Sequence, residues 1–212
     1  MLSCEHHREQ LIIPAEQYIA QFVDVPHFLS LCRACPKHNQ TWACPEFNFD
    51  PLDIWAHYEW LQLTCFALDF TSSQQLIHWE PSILRKEVMD LFAREKRTCL
   101  RAMMRSHHEH PGSTVLGAGA CELCRTCTRA AGRACRLPQL LVHSLESMGA
   151  DVEASSRELF NRPIEWSDGT GLPSGYVIIM GLLSHERPAE SETPPSSTEL
   201  LAPTGAAGHN AG

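Results

Sequence analysis

Seven of the ten cysteines fall in two short stretches. The first reads Cys32-Arg-Ala-Cys35, eight residues, then Cys44-Pro45. The second reads Cys121-Glu-Leu-Cys124-Arg-Thr-Cys127, seven residues, then Cys135-Arg136-Leu137-Pro138. Three thiolates with two residues between each let one loop wrap around a metal cluster, and this is how three irons of a [4Fe–4S] centre are commonly held. The fourth thiolate then comes from farther along the chain, often just before a proline. Cys135 is the nearest candidate. Cys44, directly before Pro45, is the other, in a crossed arrangement such as two-cluster ferredoxins use.

Zinc is the alternative cofactor. It takes four ligands, commonly from two C-x2-4-C knuckles. Cys32 and Cys35 make one such knuckle, whereas the triple spacing at Cys121, Cys124 and Cys127 suits iron–sulfur better. The expectation is an iron–sulfur cluster on Cys121, Cys124, Cys127 and Cys135. Cys32, Cys35 and Cys44 would hold a second metal site with one coordination position open. His38 lies inside that first loop and either supplies a fourth donor or lines the loop.

Other residues are read around these loops. Trp42, beside Cys44, is expected to pack over the metal loop, and Trp55 and Trp60 on a helix face. Arg125, Arg129, Arg133 and Arg136 could offset cluster charge, but each taken singly reads as a solvated surface arginine. Gly117 and Gly119 would let the backbone approach the cluster. Isolated Cys65 and Cys99 read as small buried hydrophobes in a strand and a helix, and Cys4 as part of a mobile terminus. The pair His6-His7 and the run His107-His108-Glu109-His110 read as solvated element ends. Glu46, Asp50, Asp53 and Asp69 make no paired-carboxylate signature. No nucleophile elbow, phosphate loop or dinucleotide fingerprint occurs. No C-x-x-C is followed by His, which excludes covalent haem.

The elements that must carry these loops alternate. Gln17–Val23 reads as a first strand. Asp50-Pro51 reads as a helix cap followed by a first-turn proline, with Leu52, Trp55, Ala56 and Leu63 marking the helical face. Thr64–Phe70 reads as a half-buried strand with Phe66, Leu68 and Phe70 on one side. Leu84, Val88, Leu91, Phe92, Cys99 and Met103 recur at helical spacing from about Ser82 to His107, and Pro111-Gly112 ends that region. Thr114–Ala118 is a short strand. Pro138 and Gly149 frame a further helix whose N-terminus would favour the anionic site at Cys135. Ser155-x-x-Glu158 resembles a capping box, and Gly175–Leu183 reads as a buried closing strand. The fold class is α+β: a compact sandwich of about four strands with helices and Cys-rich loops.

The stretch Arg187 to Gly212 is rich in Pro, Ser, Gly, Ala and Glu and reads as a disordered tail on a metal-binding domain of residues 1–186. The 212 residues carry 17 Lys+Arg against 25 Asp+Glu, a formal net charge of -8. That disfavours neutralisation of nucleic-acid phosphates as the protein's business. No apolar run reaches the ~18–20 residues that a membrane span requires, and the N-terminus lacks the apolar core of a signal peptide. The expectation is a cytoplasmic location, no nucleic-acid or membrane partner, and thiols kept reduced.

At these loops the chain resembles a family of bacterial and archaeal proteins described as metal-binding, a domain of unknown function (DUF2284). The resemblance rests on Cys32-Arg-Ala-Cys35, Trp42-Ala-Cys44-Pro45-Glu46, Gly119-Ala-Cys121-Glu-Leu-Cys124-Arg-Thr-Cys127, Cys135-Arg136-Leu-Pro138 and Ser144-Leu-Glu146-Ser-Met-Gly149-Ala-Asp151-Val152. It spans about residues 15–183. Glu46 departs from a second proline common in the family. The resemblance implies metal binding and supplies no reaction, so enzymatic activity is left open. The expected role is electron transfer or redox support with a partner protein. A zinc-stabilised interaction module and an enzyme with an open-site cluster are the alternatives.

Overall fold

Residues 61–68, Leu-Gln-Leu-Thr-Cys-Phe-Ala-Leu, are all buried, so the strand that contains them has to be covered on both faces. The computed structural model describes residues 2, 4–44, 46–72, 80–121, 123–165 and 172–189. Its main elements, in chain order, are β1 (Glu5–Pro14), α1 (Ala15–Phe22), α2 (Val25–Ala34), α3 (Pro51–Ala56), β2 (Trp60–Asp69), α4 (Pro81–Glu109), β3 (Thr114–Leu116), α5 (Val152–Phe160) and β4 (Gly175–Ser184). The strands form one antiparallel sheet in the order β1-β2-β4-β3. The α+β class with four strands is as expected. No described helix is long and apolar enough to cross a membrane.

Side chains alternate across a strand, and β2 sends Leu61, Leu63 and Cys65 to one face. There they meet Tyr18 and Phe22 of α1, Trp55 of α3, Phe160 of α5, and Leu145 and Met148 of the chain before α5. Phe66 and Leu68 point to the other face, with Ile178, Met180 and Leu182 of β4, and pack on Cys99, Ala102 and Met103 of α4. Helices therefore cover both faces of the sheet. Phe70, expected on the same strand face, lies past the end of β2 and joins a separate cluster with Leu84 and Leu91.

Three local expectations are corrected. Gln17–Val23 is not a strand, because α1 spans Ala15–Phe22 and buries Ala15, Tyr18 and Phe22 at helical spacing. The first strand precedes it, as polar edge strand β1. Pro138 and Gly149 do not frame an α-helix; only single tight turns form at Pro138–Leu140 and Glu146–Met148. The hydrogen bonds of that stretch go elsewhere: the Gly117 N–H donates to His143 O (2.7 Å), the Leu145 N–H to Gly117 O (3.0 Å) and the Asp24 N–H to Gly149 O (2.9 Å). Nor does Ser155 cap a helix. Asp151 is the cap of α5, accepting from the Ala154 N–H at 2.8 Å, and Ser155 is buried within the helix against the Tyr18 hydroxyl (2.8 Å).

Other expectations hold. Asp50 caps α3 with a bond from the Leu52 N–H (2.9 Å), and Pro51 opens it. Trp55 is fully buried and its indole donates to Met148 O (2.8 Å); Trp60, by contrast, begins β2. The expected tail, residues 187–212, lies outside the described residues from 190 onward.

Gly149 adopts a left-handed backbone (φ 90°), and a Cβ there would stand 2.6 Å from Val25 Cγ2 and 2.7 Å from Val25 Cα. Gly149→Ala combines backbone strain with overpacking against a helix start. We expect it to lower unfolding free energy by about 2–5 kcal/mol in urea denaturation.

Cys65 and Cys99 are buried, and burial pushes each thiol from 9.0 up to about 12. The unfolded chain releases these protons near pH 9 while the folded chain keeps them, so stability falls as pH rises from about 9 towards 12. The slope reaches at most ~1.4 kcal/mol per pH unit per thiol. The destabilisation caused by Cys99→Ala should therefore shrink across that window, read as denaturation midpoints at each pH.

Candidate metal centres

The first thiol loop begins on a helix. Asp24 caps α2 by accepting from the His27 N–H (3.0 Å), Pro26 sits in its first turn, and the helix ends where Cys35 turns extended (φ -74°, ψ 136°). Cys32 is therefore on the last turn and Cys35 just beyond. Short turns wind the chain onward, through Cys35 N–H to Cys32 O (3.1 Å), His38 N–H to Cys35 O (2.9 Å) and Cys44 N–H to Thr41 O (3.1 Å). Two sulfurs receive protein donors: the Thr41 hydroxyl reaches Cys44 Sγ at 3.1 Å and the Lys37 N–H reaches Cys35 Sγ at 3.4 Å. Burial pushes the Cys32 thiol up, and the charges of Cys44, Cys35 and Glu146 push it further. The Cys32 sulfur thus stands in the field of the other two.

The second loop leaves β3 through Gly117 and Gly119. A Cβ at Gly117 would press on Val142 Cγ1 at 3.0 Å, so this glycine admits the 142–144 segment and not a cluster. Gly119 is left-handed (φ 59°), and its N–H faces Glu146 Oε2 at 3.3 Å. Lys96 of α4 donates to Ala120 O (2.7 Å), which ties the long helix to the start of the loop. Cys121, Cys124, Cys127 and Cys135 then line one small cleft with Trp42, Leu123, Leu137 and Leu141. Burial pushes the Cys121 thiol up, a hydrogen bond from the Leu123 N–H draws it back, and the charges of Cys127, Cys124 and Cys135 push it up again. The buried Thr128 hydroxyl closes the loop by donating to Ala134 O (2.7 Å).

The two loops are bolted together. Arg129 donates to Asn39 Oδ1 (2.6 Å), Cys44 O (3.1 Å) and Glu46 O (2.6 Å), and its guanidinium lies 4.9 Å from the centroid of the Trp42 ring. The Trp42 indole donates in turn to Arg133 O (3.1 Å). A residue of the first loop thereby forms a wall of the second loop's cleft. Phe47, Phe49 and His143 make a ring cluster beneath, with centroids 4.8 to 5.4 Å apart, and His143 Nδ1 lies 3.3 Å from Ala43 O. Burial holds the His143 imidazole below its usual range, against a smaller opposing pull from the Ala43 carbonyl.

Of the seven predicted cysteines, Cys121, Cys124, Cys127 and Cys135 line one cleft, and Cys44 and Cys35 lie near enough to Cys32 to act on its thiol. Among the described residues, no three His, Cys, Asp or Glu side chains stand in metal-holding geometry as placed. All ten cysteines are free thiols. The donor chemistry, thiols in number, suits a thiophilic metal or cluster. Among the described residues only a single tight turn, Pro138–Leu140, follows Cys135, so the helix-dipole expectation fails. Arg129, expected as solvated, is instead the clamp between loops, and Arg136 donates to Thr126 O (2.9 Å). Sequence spacing did not single out Thr41, Thr128 or Arg129; only the position of Arg129 between Cys127 and Cys135 hinted at the last. Cys4 precedes β1 and is half-buried, and burial pushes its thiol up to about 11. His6 and His7 sit within β1 facing Glu95 (3.6 Å) and Asp69 (3.3 Å), rather than at an element end.

Fold and loops define the chain as an α+β protein that presents clustered thiols. It belongs to the family described as predicted metal-binding protein (DUF2284), whose model matches residues 19–183. Comparison with curated proteins and with solved structures gives no match.

Lysine carries the charge of arginine without its planar fork. Arg129→Lys should cost about 1–3 kcal/mol in chemical denaturation, and should speed thiol labelling at Cys44 while shifting Trp42 fluorescence. Unchanged labelling and emission would mean that the fork does not hold the loops together.

Proposed function

We propose that the chain carries an iron–sulfur cluster of the [4Fe–4S] type on Cys121, Cys124, Cys127 and Cys135, and acts in electron transfer or as a redox accessory protein. Cys32, Cys35 and Cys44 hold a second metal in this reading. The observation that carries it is the one cleft that all four thiols of the second loop line together with Trp42.

When bound, such a cluster accepts and gives up single electrons. The chain's own residues determine how easily it does so. The Leu123 N–H, directed at Cys121, stabilises sulfur charge and favours the reduced state. Trp42, Leu137 and Leu141 limit water access, and lower solvation of charge acts in the same balance. Arg136, beside Cys135, brings positive charge to the cleft. Thiolate ligation requires reduced cysteines, which suits a cytoplasmic location. A redox partner protein would exchange electrons at the exposed side of this loop, where Leu123 and Leu137 remain about two-fifths exposed.

Protein purified without oxygen should contain about four iron and four acid-labile sulfide per chain, with a broad absorption near ~400 nm that dithionite bleaches. Cys124→Ser should abolish most of that absorption. Zinc without sulfide at this loop would overturn the redox reading and leave a metal-stabilised interaction module.

A further inference from the structure

We propose that the cleft between β1 and the last turns of α4 binds the phosphate group of a small phosphorylated molecule, gripped by the guanidinium groups of Arg8 and Arg105. The site is separate from the two thiol loops, and no cysteine lines it.

Residues two apart on a strand share a face, so Arg8 and Gln10 of β1 belong to one row. The register sets them beside Phe66 and Thr64 of β2, and Gln62 comes next in that row. Opposite them, Ala102, Arg105, Ser106 and Glu109 recur on α4 at the spacing of one helix face. Farther along, this layer is apolar, with Phe66, Leu68, Cys99 and Met103 in one core cluster. Here it opens instead into a polar cleft of about 250 Å³. That is just below the ~300–1,000 Å³ of pockets for drug-sized ligands and suits a smaller one.

Two cations share that cleft without a counter-charge. Among the described residues, neither Arg8 nor Arg105 makes an ion pair or a side-chain hydrogen bond, and Arg8 Nε is buried with no protein acceptor. The Arg8 guanidinium is held from one side by the Phe66 ring, its Cζ 5.6 Å from the centroid. Burial holds Arg8 below its usual range, and the charge of Arg105 pushes it further the same way. An arginine stays protonated all the same, so the pair is an arrangement that an anion relieves. The guanidinium fork matches phosphate oxygens, and a phosphate monoester carries about -1.5 to -2, close to the charge of the pair. Neutral donors complete the lining. Gln62 is 5% exposed, and its amide makes no side-chain hydrogen bond among the described residues. The Gln10 amide gives one N–H to Thr64 Oγ1 (3.2 Å) and keeps a second. Glu109 also lines the cleft, but it pairs with neither arginine and is exposed. The net charge of -8 disfavours a long phosphate backbone; it leaves room for one phosphate at a local pair of cations.

The test is isothermal titration calorimetry on the full chain, purified without oxygen, at fixed ionic strength. The probes are inorganic phosphate and glycerol 3-phosphate, with acetate as the comparison anion. Wild type should bind either phosphate saturably at a single site, and acetate more weakly by about tenfold or more. Arg105→Gln should weaken phosphate binding at least about tenfold, the loss expected for one hydrogen bond to a charged group. Arg105→Lys, which keeps the charge and loses the fork, should fall between the two. Arg105 is exposed, so both variants should match wild type in far-UV circular dichroism and in melting temperature without phosphate. Arg101 lies on α4 outside the cleft, bonded to Thr98 Oγ1 (3.0 Å), and Arg101→Gln should bind phosphate as wild type does. Absence of saturable phosphate binding to wild type overturns the proposal. So does unchanged binding in Arg105→Gln, which would put the phosphate elsewhere, or equal weakening by Arg101→Gln, which would mark general charge attraction. Acetate bound as tightly as phosphate overturns the assignment to phosphate.

Discussion

Strand β2 is paired over all ten of its residues with β1 on one edge and with β4 on the other, and it is buried on both faces. A strand so placed cannot shift by one residue without sending Leu61, Leu63 and Cys65 into the space built for Phe66 and Leu68. That constraint fixes the register of the sheet, and the sheet fixes its coverings. Helix α4 lies on one face; α1, α3 and α5 lie on the other. The outer edge falls to β1, where Glu5, Arg8 and Glu9 discourage pairing with another chain. The thiol loops are then anchored at three points: the end of α2, the end of β3 and the segment before α5.

Within those anchors the loops have little regular structure to stabilise them. Their stability comes from single polar contacts: Thr128 to its own loop, Lys96 from the long helix, and above all the fork of Arg129. Partial burial works against ionisation of Cys32 and Cys121 in these loops.

The division between what the sequence disclosed and what it concealed follows these physics. Asp50-Pro51, the apolar recurrence of α4 and the closing run at Gly175 are local signals, and each matched. The grouping of cysteines was legible because ligand spacing is itself local. Tyr18 and Phe22 misled because two rings four apart also fit the alternation of a strand; their centroids stand 5.2 Å apart on one helix face. Strand β1 escaped notice because an edge strand is polar, lacking the pattern that marks buried ones. The stretch from Pro138 to Gly149 carried helix punctuation, but long-range bonds to Gly117 and Asp24 claimed its backbone. Arg129 shows the same limit for the site: its contacts lie more than eighty residues away along the chain, and no spacing rule reports them.

The Arg129 fork has a thermodynamic consequence. It can form only when both loops are ordered at once, so ordering either loop lowers the entropy cost of ordering the other. Linkage makes that help symmetric: ordering the first loop favours order in the second by as much as ordering the second favours order in the first. Two loops separated by more than seventy residues in sequence are thus coupled in their ordering through one side chain.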